Sequence, residues 1–270
     1  MIPAFAIAVI AGLLAFGTPG MAALPAPPPG PSVTVNRTLF EVRLPDGSLL
    51  AQDQLPGTVL TLGDGTGAQR RIRIDAVEPD AGDPSGEVIL YTLSEVDATT
   101  QQWRNACDAA PDGRRLGFPL PGAFTPEGTY QPAHGGLLIT CTGGAEGKCI
   151  RFGYKPWRTA PDGASLEPWY QACVRLVRAD YGGDGVGHTR NGTPIDLFDR
   201  IGIQRDEITP GMTLEAAFGP DGAVCVAHPR LSDLISLDMV GQRYPRLADH
   251  LGAGCDENAP ALIFVRSFAR

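Results

Sequence analysis

The chain carries almost none of the short strings that mark a known reaction. It has no HExxH pair to hold a catalytic zinc ion and no CxxC pair to build a zinc ribbon. The nearest approach to a serine nucleophile elbow, Gly163-Ala164-Ser165-Leu166-Glu167, has Glu where the closing glycine is required. Gly147-Lys148 is followed by Cys149 and lacks the upstream glycine of a phosphate loop, and residues 182–187 read GGDGVG, which is not a dinucleotide fingerprint. Positive charge is also short. Lys and Arg number 22 against 30 Asp and Glu, a net charge of −8, which disfavours phosphate backbones and anionic lipid surfaces as partners. The apolar run from Ile2 to Phe16 falls short of the roughly 20 residues of a membrane-spanning helix.

Apolar residues make up 43% of the 270, enough to bury a core, while 34 Gly and 25 Pro imply many turns and few long helices. The run from Ile2 to Phe16 is followed by Gly20 and Ala22, small residues that suit cleavage before Ala23, so residues 1–22 read as an export signal. Its departure from pattern is that no Lys or Arg precedes the run. Pro19, Pro25 and Pro27 to Pro29 stop any helical extension, and no cysteine follows the run to carry a lipid. The expected product is a secreted or periplasmic chain without a membrane span. Residues 23–32, ALPAPPPGPS, read as an extended linker.

Six cysteines remain: Cys107, Cys141, Cys149, Cys173, Cys225 and Cys255. An even set in an oxidising compartment points to three disulfides, and the spacings match no zinc ribbon. Six cysteines allow about 15 pairings. Pairing of neighbours, Cys107 with Cys141, Cys149 with Cys173 and Cys225 with Cys255, is the expectation.

The fold class expected is α+β, a small antiparallel β subdomain over residues 33–100 followed by a disulfide-stabilised α+β domain over 104–270. In the first part, partial alternation predicts a strand over Val33 to Leu44 that ends at the Pro45-Asp46-Gly47 turn. A second pair is predicted at Thr58 to Leu62 and Arg71 to Val77 around a turn at Gly63 to Gly67, with Arg70, Arg71 and Arg73 on a solvated face, and another strand at Val88 to Val96. In the second part, apolar residues at 166, 169, 170, 173, 176 and 177 form the stripe of a buried helical face. Glu167 and Pro168 suit its first turn, Arg175 and Arg178 its last. Cys173 lies on that stripe, which makes it a packed half-cystine rather than a nucleophile. A short helix is expected from Ala145 to Phe152, a hairpin from Leu214 to Ala227, a helix from Leu231 to Val240 and a closing strand from Ala261 to Phe268.

Chemistry concentrates between Arg178 and Asp199, RADYGGDGVGHTRNGTPIDLFD. Asp180, Asp184, His188, Asp196 and Asp199 are candidate ligands for a divalent metal such as calcium, which takes several oxygens. Asp180, Asp184 and His188 are also candidate acid/base residues, with Tyr181 polarising a substrate. The plainer reading is that Asp caps backbone amides, Gly takes positive φ and His188 donates to a carbonyl, as in ordinary turns. Tyr154, Trp157, Trp169 and Tyr170 line a groove or, more simply, pack.

The strings Cys149 to Trp157, Gln171 to Arg175, Arg178-Ala179-Asp180-Tyr181, Gly183-Asp184-Gly185, His188-Thr189-Arg190 and Gly192-Thr193 together resemble the ADYC domain family of exported bacterial proteins, over about residues 104–230. The family is named for an Ala-Asp-Tyr-Cys motif, and Gly182 stands here in place of its cysteine. The resemblance implies no particular activity, and the glycine excludes a catalytic thiol at that position. Any bridge made by that cysteine in relatives is absent from this chain. The function expected is therefore a non-catalytic binding or structural module of the cell envelope or extracellular space, meeting a ligand found there and no nucleic acid. The alternative is a metal-dependent or acid/base hydrolase of envelope material using Asp180, Asp184 and His188.

Overall fold

The computed structural model describes residues 31–63, 69–133 and 135–269. The expected export signal, nearly all of the 23–32 linker and most of the Gly63 to Gly67 turn lie outside the described residues. Among them, the stretch predicted as one strand over Val33 to Leu44 is a hairpin, β1 (Ser32–Asn36) paired antiparallel with β2 (Leu39–Arg43). The correction has a local cause. Arg37 turns the chain with φ of 59°, and Thr38 is pulled inward, its buried hydroxyl donating to the Glu87 carbonyl and accepting from the Ile89 amide.

β3 (Val59–Gly63), β4 (Gln69–Pro79) and β5 (Ile89–Val96) form an antiparallel meander in which Ile72 and Ile74 face the core, as their alternation predicts. The arginine face of β4 is ordered. Arg71 and Arg73 lie over the Trp103 ring at 5.5 and 4.8 Å, and Arg70 pairs with Glu95. β6 (Trp103–Asn105) pairs with the end of β5 on the edge away from β4, and β7 (Gly117–Pro121) joins β5 further along that same edge. After the small β8 (Ala123–Phe124) and β9 (Tyr130–Gln131) hairpin, β10 (Leu137–Cys141) completes the order β10-β7-β5-β4-β3. Strands from both sides of residues 100–104 thus share one sheet.

Two helices follow, α1 (Ala145–Arg151) and α2 (Glu167–Arg178). The apolar stripe of α2 is buried as its spacing predicts, and α2 lies against a second antiparallel sheet. That sheet contains β11 (Asp196–Asp199), β12 (Thr213–Gly219) and β13 (Gly222–Val226), and after α3 (Leu237–Arg243) it is completed by β14 (Ile263–Ser267) in the order β11-β14-β12-β13. The closing strand is therefore internal, and every residue of it is buried. The helix expected from Leu231 begins later. Ser236 caps it, its hydroxyl accepting the Met239 amide, and residues before the cap form turns.

All three neighbour disulfides are present, Cys107–Cys141, Cys149–Cys173 and Cys225–Cys255, and no described cysteine is free. They span 34, 24 and 30 residues. Chain-entropy reasoning credits loops of that length with about 3–4 kcal/mol each. Cys149–Cys173 pins α1 to α2, and α1 also touches β10, so the two helices join the first sheet to the second. Among the described residues no helix is long and apolar enough to cross a membrane.

Candidate functional site

The Ala179-Asp180-Tyr181 string is the stop of α2. Ala179 takes φ of 50° and ends the helix in the left-handed conformation. The buried Asp180 carboxylate then accepts the Gly183 and Asp184 amides on Oδ1, and the Gly185 amide and the Arg175 guanidinium on Oδ2. Tyr181 is buried between His188 and Phe218; its hydroxyl donates to Glu215 and accepts the Arg230 amide. Burial, reinforced by the Glu215 charge, pushes that phenol well above its ordinary range. Arg230 forms a two-point ion pair with Glu215, both fully buried, and donates to the Leu176 and Val177 carbonyls in the last turn of α2. His188 closes the same end, its amide on the Arg178 carbonyl and its Nδ1 at 3.1 Å from the Ala179 carbonyl. Since a carbonyl only accepts, Nδ1 carries the proton.

The other candidates behave alike. Asp196 accepts the Thr209 amide, while Asp199 collects the amides of residues 201–204 and the Tyr154 hydroxyl. Asp184, with a side chain 38% exposed, faces Arg243 at 3.3 Å and the Tyr244 hydroxyl at the same distance. Burial opposes its charge, but the Val186 amide, Arg243 and Tyr244 outweigh that and hold the carboxyl low. Burial and Asp184 in turn push the Tyr244 phenol up to about 12. The Tyr244 ring lies flush on Gly182, where any Cβ would collide with it.

The expected metal set is therefore not gathered. Asp180, Asp184, His188, Asp196 and Asp199 each close a different piece of backbone, and among the described residues no group of three or more His, Cys, Asp or Glu side chains is placed to hold a metal ion. Asp180 and Tyr181 are buried with their polar atoms on protein partners, and His188, held by Nδ1 on the Ala179 carbonyl, borders a separate hollow with Leu234, Ile235 and Arg243. The aromatic groove is not formed either: Tyr154 is buried on Asp199, and the Trp157 indole donates to Glu87.

Two cationic clusters were not legible from sequence. The first clasps the β4–β5 turn. Arg151 pairs with Asp80 at 2.7 Å, Lys155 with Asp83 at 2.8 Å, and Arg37 and Arg158 with Glu87 at 2.9 and 2.7 Å. Lys155 and Asp83 are 4% and 6% exposed, and the ammonium also reaches the Ser85 hydroxyl. Burial works against the Asp83 charge, yet Lys155, Ser85 and the amides of Val88 and Ser85 override it and hold the carboxyl far below its usual range.

The second cluster lines a cleft of about 350 Å³ between α1, the end of α2 and residues 189–195. Lys148, Arg178, Arg190 and Thr193 line it, and the buried Arg230 borders it too. Arg178 stands 3.8 Å from Glu146 and donates to the Gly185 carbonyl, and Arg190 is clamped on Asp233. The Lys148 amine, half-buried, has neither carboxylate nor hydrogen-bond partner among the described residues, and burial alone pushes it below the ordinary lysine range. The signal that could have found it is slight: Lys148 is the one lysine on α1, and strings that carry the family resemblance, Thr189-Arg190 and Gly192-Thr193, form the facing wall.

Comparison with curated proteins and with solved structures finds no match. A family model does match, that of the ADYC domain, over residues 52–232. The match begins well before residue 104, within the β-rich part, in keeping with a sheet built from both segments. It takes in well over half of the chain, including the α2 stop, the cleft and the clasp apart from Arg37, and the chain belongs to the ADYC domain family.

Proposed function

We propose that the protein is an exported, disulfide-braced binding module whose ligand enters the cleft between α1, the end of α2 and residues 189–195. One observation carries this reading: the polar residues of the family strings divide into those that build and those that face. Asp180, Tyr181 and His188 turn inward and fix the backbone that returns from α2, while Arg178, Thr189, Arg190 and Thr193 are left around an open cavity. A volume of 350 Å³ falls at the small end of the roughly 300–1,000 Å³ usual for small-molecule sites. Three disulfides and the absence of a membrane-crossing helix among the described residues suit an extracellular or periplasmic setting. The hydrolase alternative has less support, since Asp180 is enclosed by backbone amides and Arg175 while Asp184 and His188 are held on different partners, Arg243 and the Ala179 carbonyl.

The test is a nuclear magnetic resonance screen of the mature chain against a mixed panel of neutral and charged small molecules. Hits should shift amides at Ala145 to Lys148 and Thr189 to Thr193, and Thr193→Trp, which fills the cleft, should abolish them. Shifts scattered over the surface, or hits that persist in Thr193→Trp, would refute the reading.

A further inference from the structure

We propose that the cleft binds a small oxyanion, a carboxylate or a phosphate, with Lys148 as its counter-ion and Arg178 and Arg190 beside it. The inference rests on the cleft being the ligand site and adds the chemistry of the occupant. The charges around the cavity are unequal in how they are matched. Arg190 is held by both oxygens of Asp233, Arg178 by the Gly185 carbonyl with Glu146 nearby, and the lining Arg230 by both oxygens of Glu215. Lys148 is the cation left over. A half-buried ammonium without a partner is disfavoured by its lost hydration, and it gains most from an arriving negative charge. Thr189, Asn191 and Thr193 line the same cavity and bring hydroxyl and amide donors suited to the remaining lone pairs of an oxyanion.

Other occupants fit less well. A cation would meet Lys148, Arg178 and Arg190, with Glu146 the one carboxylate on the cleft wall and Asp233 already engaged by Arg190. A neutral molecule would cover the ammonium and deepen its desolvation without replacing the lost water. Part of the lining is a tight turn, in which the Thr193 amide bonds the Arg190 carbonyl and Gly192 takes φ of 82°, so its backbone is set before a ligand arrives.

The experiment is a titration of the mature chain with glucuronate, inorganic phosphate and glucose, followed by amide shifts. Glucose is the uncharged counterpart of glucuronate, differing at one carbon. At least one of the two anions should shift Lys148 and Thr189 to Thr193, and which binds tighter tells a carboxylate ligand from a phosphate. Glucose should bind at least about tenfold more weakly than the better anion, and Lys148→Met should weaken that anion by about tenfold or more, the loss of one charged hydrogen bond. An unchanged amide spectrum outside the cleft shows that the variant is folded. Glucose binding as tightly as the anions, equal anion affinity in Lys148→Met, or no anion response would each overturn the proposal. Neutral hits from the mixed panel would in that case leave the cleft standing as a binding site, whereas an empty panel would remove both.

Discussion

The β4–β5 clasp and the cleft each gather cations from α1 or the segments after it, yet they treat lysine in opposite ways. In the clasp, Lys155 is almost wholly enclosed and meets Asp83, Ser85 and Glu87. At the cleft, Lys148 lies seven residues earlier in sequence and meets no partner among the described residues. The lesson is that burial of a charge does not by itself mark a site. A charge whose partners are built into the fold is part of the framework, and one left without a partner beside an open cavity is directed outward.

The strongest way to break this comparison is Lys155→Met. If the clasp is framework, removing the ammonium leaves Asp83 enclosed and unpaired, and urea denaturation should show a loss of about 3–5 kcal/mol. A loss under about 1 kcal/mol would make the clasp an ordinary surface feature. Next in size is the double variant Cys149→Ala, Cys173→Ala. It frees α1 from α2 and should reduce stability by about 3 kcal/mol while loosening the cleft, whose α1 wall carries Lys148. Retained stability with loss of binding would show that the bridge serves the cleft alone.

Acid provides a smaller and sharper test. The Asp83 carboxyl is held below its unfolded value of about 3.9, so its contribution to stability is complete above that pH and is lost as pH falls toward the folded value. The unfolding free energy of the native chain should therefore decline below about pH 4, and Asp83→Asn should decline less steeply while being weaker at neutral pH. Parallel slopes in the two proteins would rule out this linkage. The least effect is expected of Lys148→Met, within about 0.5 kcal/mol of the native chain, because no partner is orphaned by it. A large destabilisation there would erase the distinction between the two lysines.

The backbone was largely legible. The stripe at 166, 169, 170, 173, 176 and 177 and the Glu167-Pro168 start marked α2, and the neighbouring cysteines paired, Cys149 with Cys173 across two consecutive helices and the other two pairs across longer excursions of the chain. Errors arose where a single residue changes the path. Arg37 breaks the alternation at a φ that its type rarely adopts, and Ser236 moves the start of α3 past an apolar stretch. The roles of the site residues stayed open for a different reason. Asp180 and His188 have the composition of a reactive cluster, but whether a polar atom faces solvent or a backbone amide depends on partners such as Arg175 and Ala179, which composition does not order. Lys148 escaped notice because its distinguishing property is a missing neighbour, and that depends on the placement of every other chain segment around α1.

The meeting of Tyr244 with Gly182 ties the loss of the motif sulfur to an event some sixty positions away. With a side chain at position 182 this backbone leaves no room for the Tyr244 ring, so a relative with cysteine at that motif position should present a compact side chain where Tyr244 stands. It would thereby forfeit the phenol that touches Asp184. The two positions should exchange as a pair across descent, bulk arriving at one only where it has left the other.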